Sequence, residues 1–530
     1  MVFRCPFFLT IRAPEPCRMG VLRDTNPLLS GAVPWTDLAC GARPDGCHRP
    51  GCRAWAEALV ALVTIQCGAG HPAAQIASTG DSRPMPSPAL SRSTWSDQTV
   101  CVVGAGYVGL TTAVGLAEDG RHVRLVEIDE ARLRLLRDGR APIHEPGLDE
   151  VLTRVLHTGQ LRVVRDIHEG MDGAGICVIA VGTPPTVDGE ADLRQVERAL
   201  AQASAAAVEG AVLVIKSTVP PGTTARLAAG RRHDHGTPPL VMCPEFLREG
   251  SALEDLRRPA RLVVGGDDPQ ACARVAALFG RDGATTHVTD STSAELVKYG
   301  SNSFLALKIS FINELAQLCE ATGADIESVA DGIGADPRIG RSFLNAGLGY
   351  GGSCFPKDVR ALENVAAYHG QSFWMLKAAI DVNAQQRRRF VGKVVSALGG
   401  SVEGRRIAIL GLAFKPGTDD MRQAASIDII RHLVDLGAVV TATDPVAIER
   451  ATPLLPGVSM VADPYACVTG ADAVVIVTEW AEFRSLDWDR VGRLASRRLV
   501  VDGRNCLDGR DLARLGYTYV SVGRRVRTPD

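Results

Sequence analysis

No stretch of the 530 residues approaches the ~20 consecutive apolar residues that a membrane-spanning helix needs. The longest candidate, ALVALVTIQC (58–67), is about half that length and lies too far into the chain for a secretory leader. An excess of charge of either sign is also missing. Lys and Arg number 58 against 60 Asp and Glu, a net charge of −2, which excludes a general attraction to nucleic acid or to an anionic membrane. Metal-ligand spacing is missing too. Cys40, Cys47, His48 and Cys52 stand close together in CGARPDGCHRPGC (40–52), but no second paired set accompanies them, so no metal site is assigned. Beyond residue 97 there is no cysteine framework. Eight of the fourteen cysteines are scattered singly there, as in a reducing cytoplasm.

What remains is a globular composition, 46% hydrophobic and 22% charged, in a chain long enough for about three domains at ~150 residues each. The first 97 residues stand apart. They hold six cysteines and 11 of the 30 prolines and show no helical or strand periodicity. They are expected not to form a domain, being either a disordered extension or upstream sequence taken in by too early a start, with Met85 the expected start.

At residue 98 the character changes. QTVCVVGAGYVGLTTAVGLAEDGRHVRLVEID (98–129) reads as strand (100–103), tight turn, helix (107–118) and strand (123–126). Gly104, Gly106 and Gly109 have the G-x-G-x-x-G spacing of a dinucleotide turn, and Glu127 closes the second strand 18 residues on. Bare backbone at a helix N-terminus suits a pyrophosphate. A carboxylate at the strand end accepts ribose hydroxyls and repels a 2′-phosphate, which favours NAD over NADP. Further buried-strand runs, ICVIAVGTP (176–184), AVLVIKSTVPPGTT (211–224) and LVMCPEF (240–246), bring Thr183, Thr218 and Glu245 to the carboxyl ends, where a doubly wound sheet binds ligands.

A long helical pattern follows over 293–323, with Lys298 and Asn302 on one face. A second α/β pattern restarts near 400 and lacks the glycine fingerprint, while its loops carry Lys415, Asp419, Asp420, Arg422 and Arg504, a set suited to phosphate and sugar hydroxyls. The predicted class is α/β, with two Rossmann-like doubly wound domains joined by a long central helix. The boundaries are 98–290 for the NAD-binding domain, 291–398 for the central helical region and 399–525 for the second α/β domain.

GYGGSCFPKD (349–358) carries the chemistry. Pro356 suits the first turn of a helix. That puts Cys354 at the helix N-terminus, where the dipole, Lys357 and Lys298 are expected to favour a thiolate nucleophile. Asp358 returns one turn later, and glycines 349, 351 and 352 let the loop close around a ligand. A thiol beside NAD points to oxidation carried past the alcohol, through aldehyde, thiohemiacetal and thioester to a carboxylate. Lys298, Asn302, Cys354, Asp358 and Glu245 can supply the acid/base, oxyanion and nucleophile roles.

These blocks resemble the UDP-glucose/GDP-mannose dehydrogenase family. The resemblance runs in order through VVGAGYVGL (102–110), VGTPP (181–185), KSTVPPGTT (216–224), CPEFLREGSA (243–252), ELVKYGSNSFLALKISFINE (295–314), DPRIG (336–340), GYGGSCFPKD (349–358) and AFKPGTDDMR (413–422), covering about 98–520. It implies that Cys354 forms the thioester and that Lys298 and Asn302 stabilise the oxyanion. It implies that Asp358, with Thr218, serves the water, and that Glu245 is a base near the sugar. The cofactor residues it implies are Gly104, Gly106, Gly109, Glu127, Arg132, Thr183, Thr218, Glu249 and Lys357. Those for the nucleotide-sugar are Glu245, Lys298, Asn302, Phe343, Gly351, Lys415 and Arg504, with Arg338 reaching the neighbouring subunit's substrate in a homodimer or higher oligomer. Tyr350 and Phe355 lean towards UDP-glucose. The alternatives are GDP-mannose and UDP-N-acetyl sugars, whose dehydrogenases carry histidine where this chain has Ser353. A silent nucleotide-sugar binder or a two-electron dehydrogenase would not need Cys354. Two departures stand out: Cys243 replaces the usual Asn, and Glu127 the usual Asp.

Overall fold

The computed structural model describes residues 99–231 and 236–529. The expectations for residues 1–97 and the cysteines at 40–52 fall outside them. The first sheet comprises β1 (Thr99–Val103), β2 (Val123–Val126), β3 (Leu161–Val164), β4 (Ala174–Ile179), β5 (Val212–Ile215), β6 (Leu240–Met242), β7 (Arg261–Gly265) and β8 (Thr285–Thr289). Its order is 3-2-1-4-5-6-7-8, and every pairing is parallel except β6 with β7. A parallel sheet covered on both faces needs strands apolar on both sides, and β4 and β5 are buried at every position. Val100, Val102 and Val178 pack into one face's core, and Cys101, Cys177 and Ile179 into the other's.

The second sheet comprises β9 (Arg406–Leu410), β10 (Val439–Thr443), β11 (Ser459–Met460), β12 (Ala473–Ile476), β13 (Leu499–Asp502) and β14 (Thr518–Ser521), in the order 11-10-9-12-13-14 and parallel throughout. Both sheets therefore reverse strand order beside their first strand, which opens a crevice at the carboxyl ends of β1 and β4 and of β9 and β12.

Between the sheets runs a helix of 32 residues, Ser291–Thr322, about 48 Å long at 1.5 Å per residue. Asp290 caps its start by accepting from the Ser293 N–H, and Gly323 ends it at φ +80°. It buries Lys298, Tyr299 and Asn302. Val297, Phe304, Phe311 and Leu318, seven residues apart, remain exposed on another face. The helices Phe355–Tyr368 and Trp374–Ala397 pack on it and carry the cysteine loop between them and the second sheet. Among the described residues no helix is long and apolar enough to cross a membrane.

Candidate active site

The glycine turn after β1 shows why each glycine is there. Gly104 sits at φ +99°, with the Ala180 carbonyl 3.0 Å from where a side chain would begin. At Gly109 a methyl group would run into the Gly104 carbonyl, so the helix Tyr107–Glu118 can lie against the turn only without one. Gly106 faces open space, where a pyrophosphate can approach backbone. At the end of β2, Glu127 accepts from the Ile128 and Asp129 N–H groups at 2.7 and 2.9 Å with one oxygen, and from the Ala105 N–H at 3.2 Å with the other. Arg132 lies 3.9 Å away. The glycine turn and the Glu127 carboxylate are thus one hydrogen-bonded unit, and the residues fit a dinucleotide.

The loops after β4 and β5 meet where the Thr183 hydroxyl donates to the Thr218 carbonyl at 3.0 Å. Lys357 reaches the same threonine at 3.4 Å. The long helix closes the far side. Its buried Lys298 ammonium donates to Glu245 at 2.9 Å, and its Asn302 amide donates to Asp358 at 2.7 Å. Lys357 donates to the other Asp358 oxygen at 2.6 Å. Burial pulls the Lys298 ammonium down, but Glu245, Cys354 and Asp358 outweigh it and hold its pKa above the ordinary lysine value.

Cys354 occupies the N-cap of the helix Phe355–Tyr368, with Pro356 in the first turn, as the sequence predicts. Its thiol does not behave as predicted. Burial, then Asp358 and Glu245, push it up to about 11 against the pull of Lys298. Lys357, expected to favour the thiolate, is spent on Asp358. With the thiol mostly protonated at neutral pH, the thiolate fraction should rise about tenfold per pH unit below that value. Iodoacetamide modification of the free enzyme at Cys354, followed by peptide mass spectrometry because seven other free cysteines are described, should accelerate accordingly from pH 7 to 9. A flat rate over that range would mean a thiolate already formed.

The three loop glycines answer to three neighbours. Side chains at Gly349 and Gly351 would strike Asn383 and the Gln423 carbonyl, and one at Gly352 would meet the Phe414 ring at 2.7 Å. The loop is therefore clasped between the helix Trp374–Ala397 and the 414–423 loop of the second sheet's domain. Asn383 accepts from the Tyr350 N–H at 2.7 Å, and Arg387 donates to the Tyr350 carbonyl at 3.1 Å. Neither residue carries a motif; their spacing of four on a helix is the only sequence signal.

Of the residues predicted for a nucleotide-sugar, Phe343 has a left-handed φ of +64° and its ring lies 6.2 Å from that of Phe355. Lys415 is close enough to Glu249, Glu145 and Cys354 to feel their charge, although burial lowers its pKa. Arg504 donates to the Val477 and Phe414 carbonyls at 2.7 and 3.1 Å, across the carboxyl ends of the second sheet. Arg338 lies apart, exposed and paired with its neighbour Asp336. Glu249, expected among the cofactor residues, lies at the cysteine loop. It accepts from the Ser353 hydroxyl at 2.8 Å, has Arg422 at 3.8 Å, and is raised to about 7 by burial and by Asp420. Ser353 also approaches the Cys354 sulfur at 3.4 Å. Sequence reasoning missed two supports. Glu295 accepts from the Gly222 and Thr224 N–H groups and so ties the loop after β5 to the long helix. Glu145 accepts from the Gly250 and Ala252 N–H groups and from Tyr107, fixing the segment that carries Glu249. Cys243 is fully buried at the end of β6, its thiol raised by burial and away from solvent.

Three family descriptions match consecutive parts of the chain: the UDP-glucose/GDP-mannose dehydrogenase family's NAD-binding domain at 98–281, its central domain at 292–385 and its UDP-binding domain at 408–509. The chain is 42% identical over 434 residues to UDP-glucose 6-dehydrogenase of Rhizobium meliloti (strain 1021), covering 80% of this chain and 99% of that one. A UDP-glucose dehydrogenase structure from Pyrobaculum islandicum matches with a TM-score of 0.74 and 39% identity, over 81% of this chain and 98% of that one. A UDP-D-ManNAc dehydrogenase structure from Pyrococcus horikoshii matches with a TM-score of 0.71 at 27% identity, over 81% and 99%.

Proposed function

The chain belongs to the UDP-glucose/GDP-mannose dehydrogenase family, and from that premise we propose that it oxidises UDP-glucose to UDP-glucuronate in an NAD-dependent, four-electron reaction. The observation that carries this reading is the convergence of Lys298 and Asp358 on Cys354, with Asn302 donating to Asp358. A two-electron dehydrogenase has no use for that thiol. Gly104, Gly106, Gly109, Glu127 and Arg132, with Thr183 and Lys357 beside them, would hold NAD, and two NAD molecules bound in turn would each accept one of the two hydrides. In this reading Lys298 and Asn302 stabilise the oxygen at sugar C6 as its charge changes. The Cys354 sulfur adds to the aldehyde carbon and its proton leaves to a base, for which Glu245 is the candidate. Loss of the second hydride turns the thiohemiacetal into a thioester. Asp358, with Thr218, orients the water that cleaves the C–S bond and returns the thiol. Lys415 and Arg504 hold the diphosphate, and Phe343 and Gly351 shape the wall.

UDP-glucose is favoured over N-acetyl sugars by the higher identity to UDP-glucose enzymes and by Ser353. The exposed stripe of Val297, Phe304, Phe311 and Leu318 supports a dimer along the long helix, and Arg338, exposed and paired with Asp336, is the residue proposed to reach the partner's substrate. The unpaired cysteines support a reducing, cytoplasmic setting. The test is NADH formed per UDP-glucose consumed. Two are expected. One would mean that the aldehyde leaves and that Cys354 has another role. Two with GDP-mannose or a UDP-N-acetyl sugar, and none with UDP-glucose, would keep the mechanism and change the substrate.

A further inference from the structure

A cavity of about 270 Å³ opens between the helix Phe355–Tyr368, the helix Trp374–Ala397 and the helix Ala425–Asp435 of the second sheet's domain. Pockets for organic ligands begin at about 300 Å³, so this one is too small for a dinucleotide or a nucleotide-sugar. None of the residues assigned to hold NAD or the nucleotide-sugar lines it. Its lining is cationic. Arg360, Arg387, Arg388 and His432 face one carboxylate, Asp428, so with His432 neutral two positive charges are in excess. Arg387 is engaged within the wall. It donates to Asp428 and to the Tyr350 and Gln423 carbonyls, and its Nε is sealed from the surface. Arg360 and Arg388 are exposed and make no ion pair or hydrogen bond among the described residues. Tyr350 also lines the cavity and is only 6% exposed. Its hydrogen bonds are all made by its backbone, so the hydroxyl has no partner among the described residues. That hydroxyl is not one of the enclosed polar atoms, so it keeps open surface towards the cavity. Burial pushes the phenol up to about 12 against the pull of Arg360 and Arg387, so it stays protonated and can donate. Guanidinium forks and a phenol O–H sharing one small space suit a tetrahedral oxyanion.

We propose that this cavity binds the phosphate group of a small anion, inorganic phosphate or a sugar phosphate, with Arg360 and Arg388 as its charged partners and the Tyr350 hydroxyl as a neutral donor. A phosphate dianion matches the two excess charges. The site adjoins the chemistry without being part of it. Tyr350 stands four residues before Cys354, and Arg360 is on the helix that Cys354 caps. The Arg387–Asp428 pair beside them ties the central helices to the second sheet's domain.

The test is calorimetry on the full chain with NADH and UDP-glucuronate saturating, so that the cleft's own phosphate sites are filled. Inorganic phosphate and glucose 1-phosphate are titrated in turn, with glucose as the probe that lacks a phosphate. One variant joins Arg360→Gln to Arg388→Gln, and the other is Tyr350→Phe. The two arginines are exposed and unpaired and the Tyr350 hydroxyl is unpartnered, so melting temperatures should hold. The expected result is binding of at least one of the two phosphates and none of glucose. Affinity should fall roughly tenfold or more in the arginine variant and roughly threefold or more in Tyr350→Phe. Tighter binding of glucose 1-phosphate would assign a sugar phosphate, and tighter binding of phosphate the free ion; either supports the site. No binding by either phosphate, or equal binding by glucose, would overturn it. So would a loss in the arginine variant with none in Tyr350→Phe, which is what diffuse surface attraction gives. Because heat rather than turnover is read, failure of the two-NADH stoichiometry would leave this result standing.

Discussion

Cys354→Ser loses UDP-glucose turnover to UDP-glucuronate by roughly 10⁴-fold or more, the scale on which removing a covalent nucleophile acts. The substitution is gentle on the fold. Cys354 is the N-cap of its helix, and serine is a better N-cap than cysteine, so the melting temperature should hold or rise slightly. What changes is the chemistry at one atom. An alcohol beside Asp358, Glu245 and Glu249 is far harder to deprotonate than a thiol already raised to about 11 by its surroundings. A serine ester would also hydrolyse more slowly than a thioester. The step that removes the first hydride needs Lys298 and Asn302 but not the sulfur, so one NADH per enzyme can still form. The measurement is a rapid-mixing trace of NADH beside intact-protein mass spectrometry. The native enzyme should give two NADH per sugar and a transient adduct on the Cys354 peptide. The variant should give at most one NADH and no adduct. A serine variant that still releases two NADH per sugar would remove Cys354 from the reaction.

The thiol's raised pKa, opposite to the sequence expectation, shows what a linear reading can weigh. A cysteine before Pro-Lys-Asp at a helix start reads as activated, because the helix dipole and Lys357 are local in sequence. What decides is burial, which the sequence does not display, then Asp358 close by in the chain and two carboxylates from far away. Glu245 arrives from the loop after β6 and Glu249 from the segment pinned by Glu145, while Lys357 turns to Asp358. The same distinction runs through the fold. The strand, turn and helix at 98–126 were legible because each has its own periodicity and the glycines have one spacing. The long helix is off by two residues at its start and one at its end, since Asp290 and Gly323 are caps rather than breaks in pattern. The strands β3, β7, β8, β11 and β14 were not predicted. β11 has two residues and β8 is largely exposed, so both lack the apolar signal, and their place follows from their neighbours. Within the site, the glycines of GYGG were legible as a need for bare backbone. That the need comes from Asn383, Gln423 and Phe414 was not, because those contacts join segments 34 to 72 residues apart.

Lys298→Met separates what holds the site together from what it does. The Lys298–Glu245 pair is almost wholly buried, with side chains 4% and 5% exposed and 2.9 Å between charges. Removing the ammonium leaves a buried carboxylate without its counter-charge, which costs about 3–5 kcal/mol and should show as a clear fall in melting temperature. Turnover should fall by roughly 10²–10³-fold even after allowing for unfolded protein, because a donor to the C6 oxygen is gone. Adding Glu245→Gln removes the stranded charge and should restore most of the stability. It cannot restore the donor, so turnover should stay low; recovery of both would make Lys298 a structural residue only. One further readout bears on the sulfur. Lys298 pulls the Cys354 thiol down against three carboxylates, so without it the pKa rises further, and the thiolate fraction at a given pH falls. Alkylation of Cys354 at pH 8 should therefore slow in the single variant. In the double variant one raising carboxylate and the lysine have gone together, so the rate should return part of the way. An alkylation rate that ignores Lys298 would mean that the lysine does not set the electrostatics of the thiol, whatever its part in holding the fold.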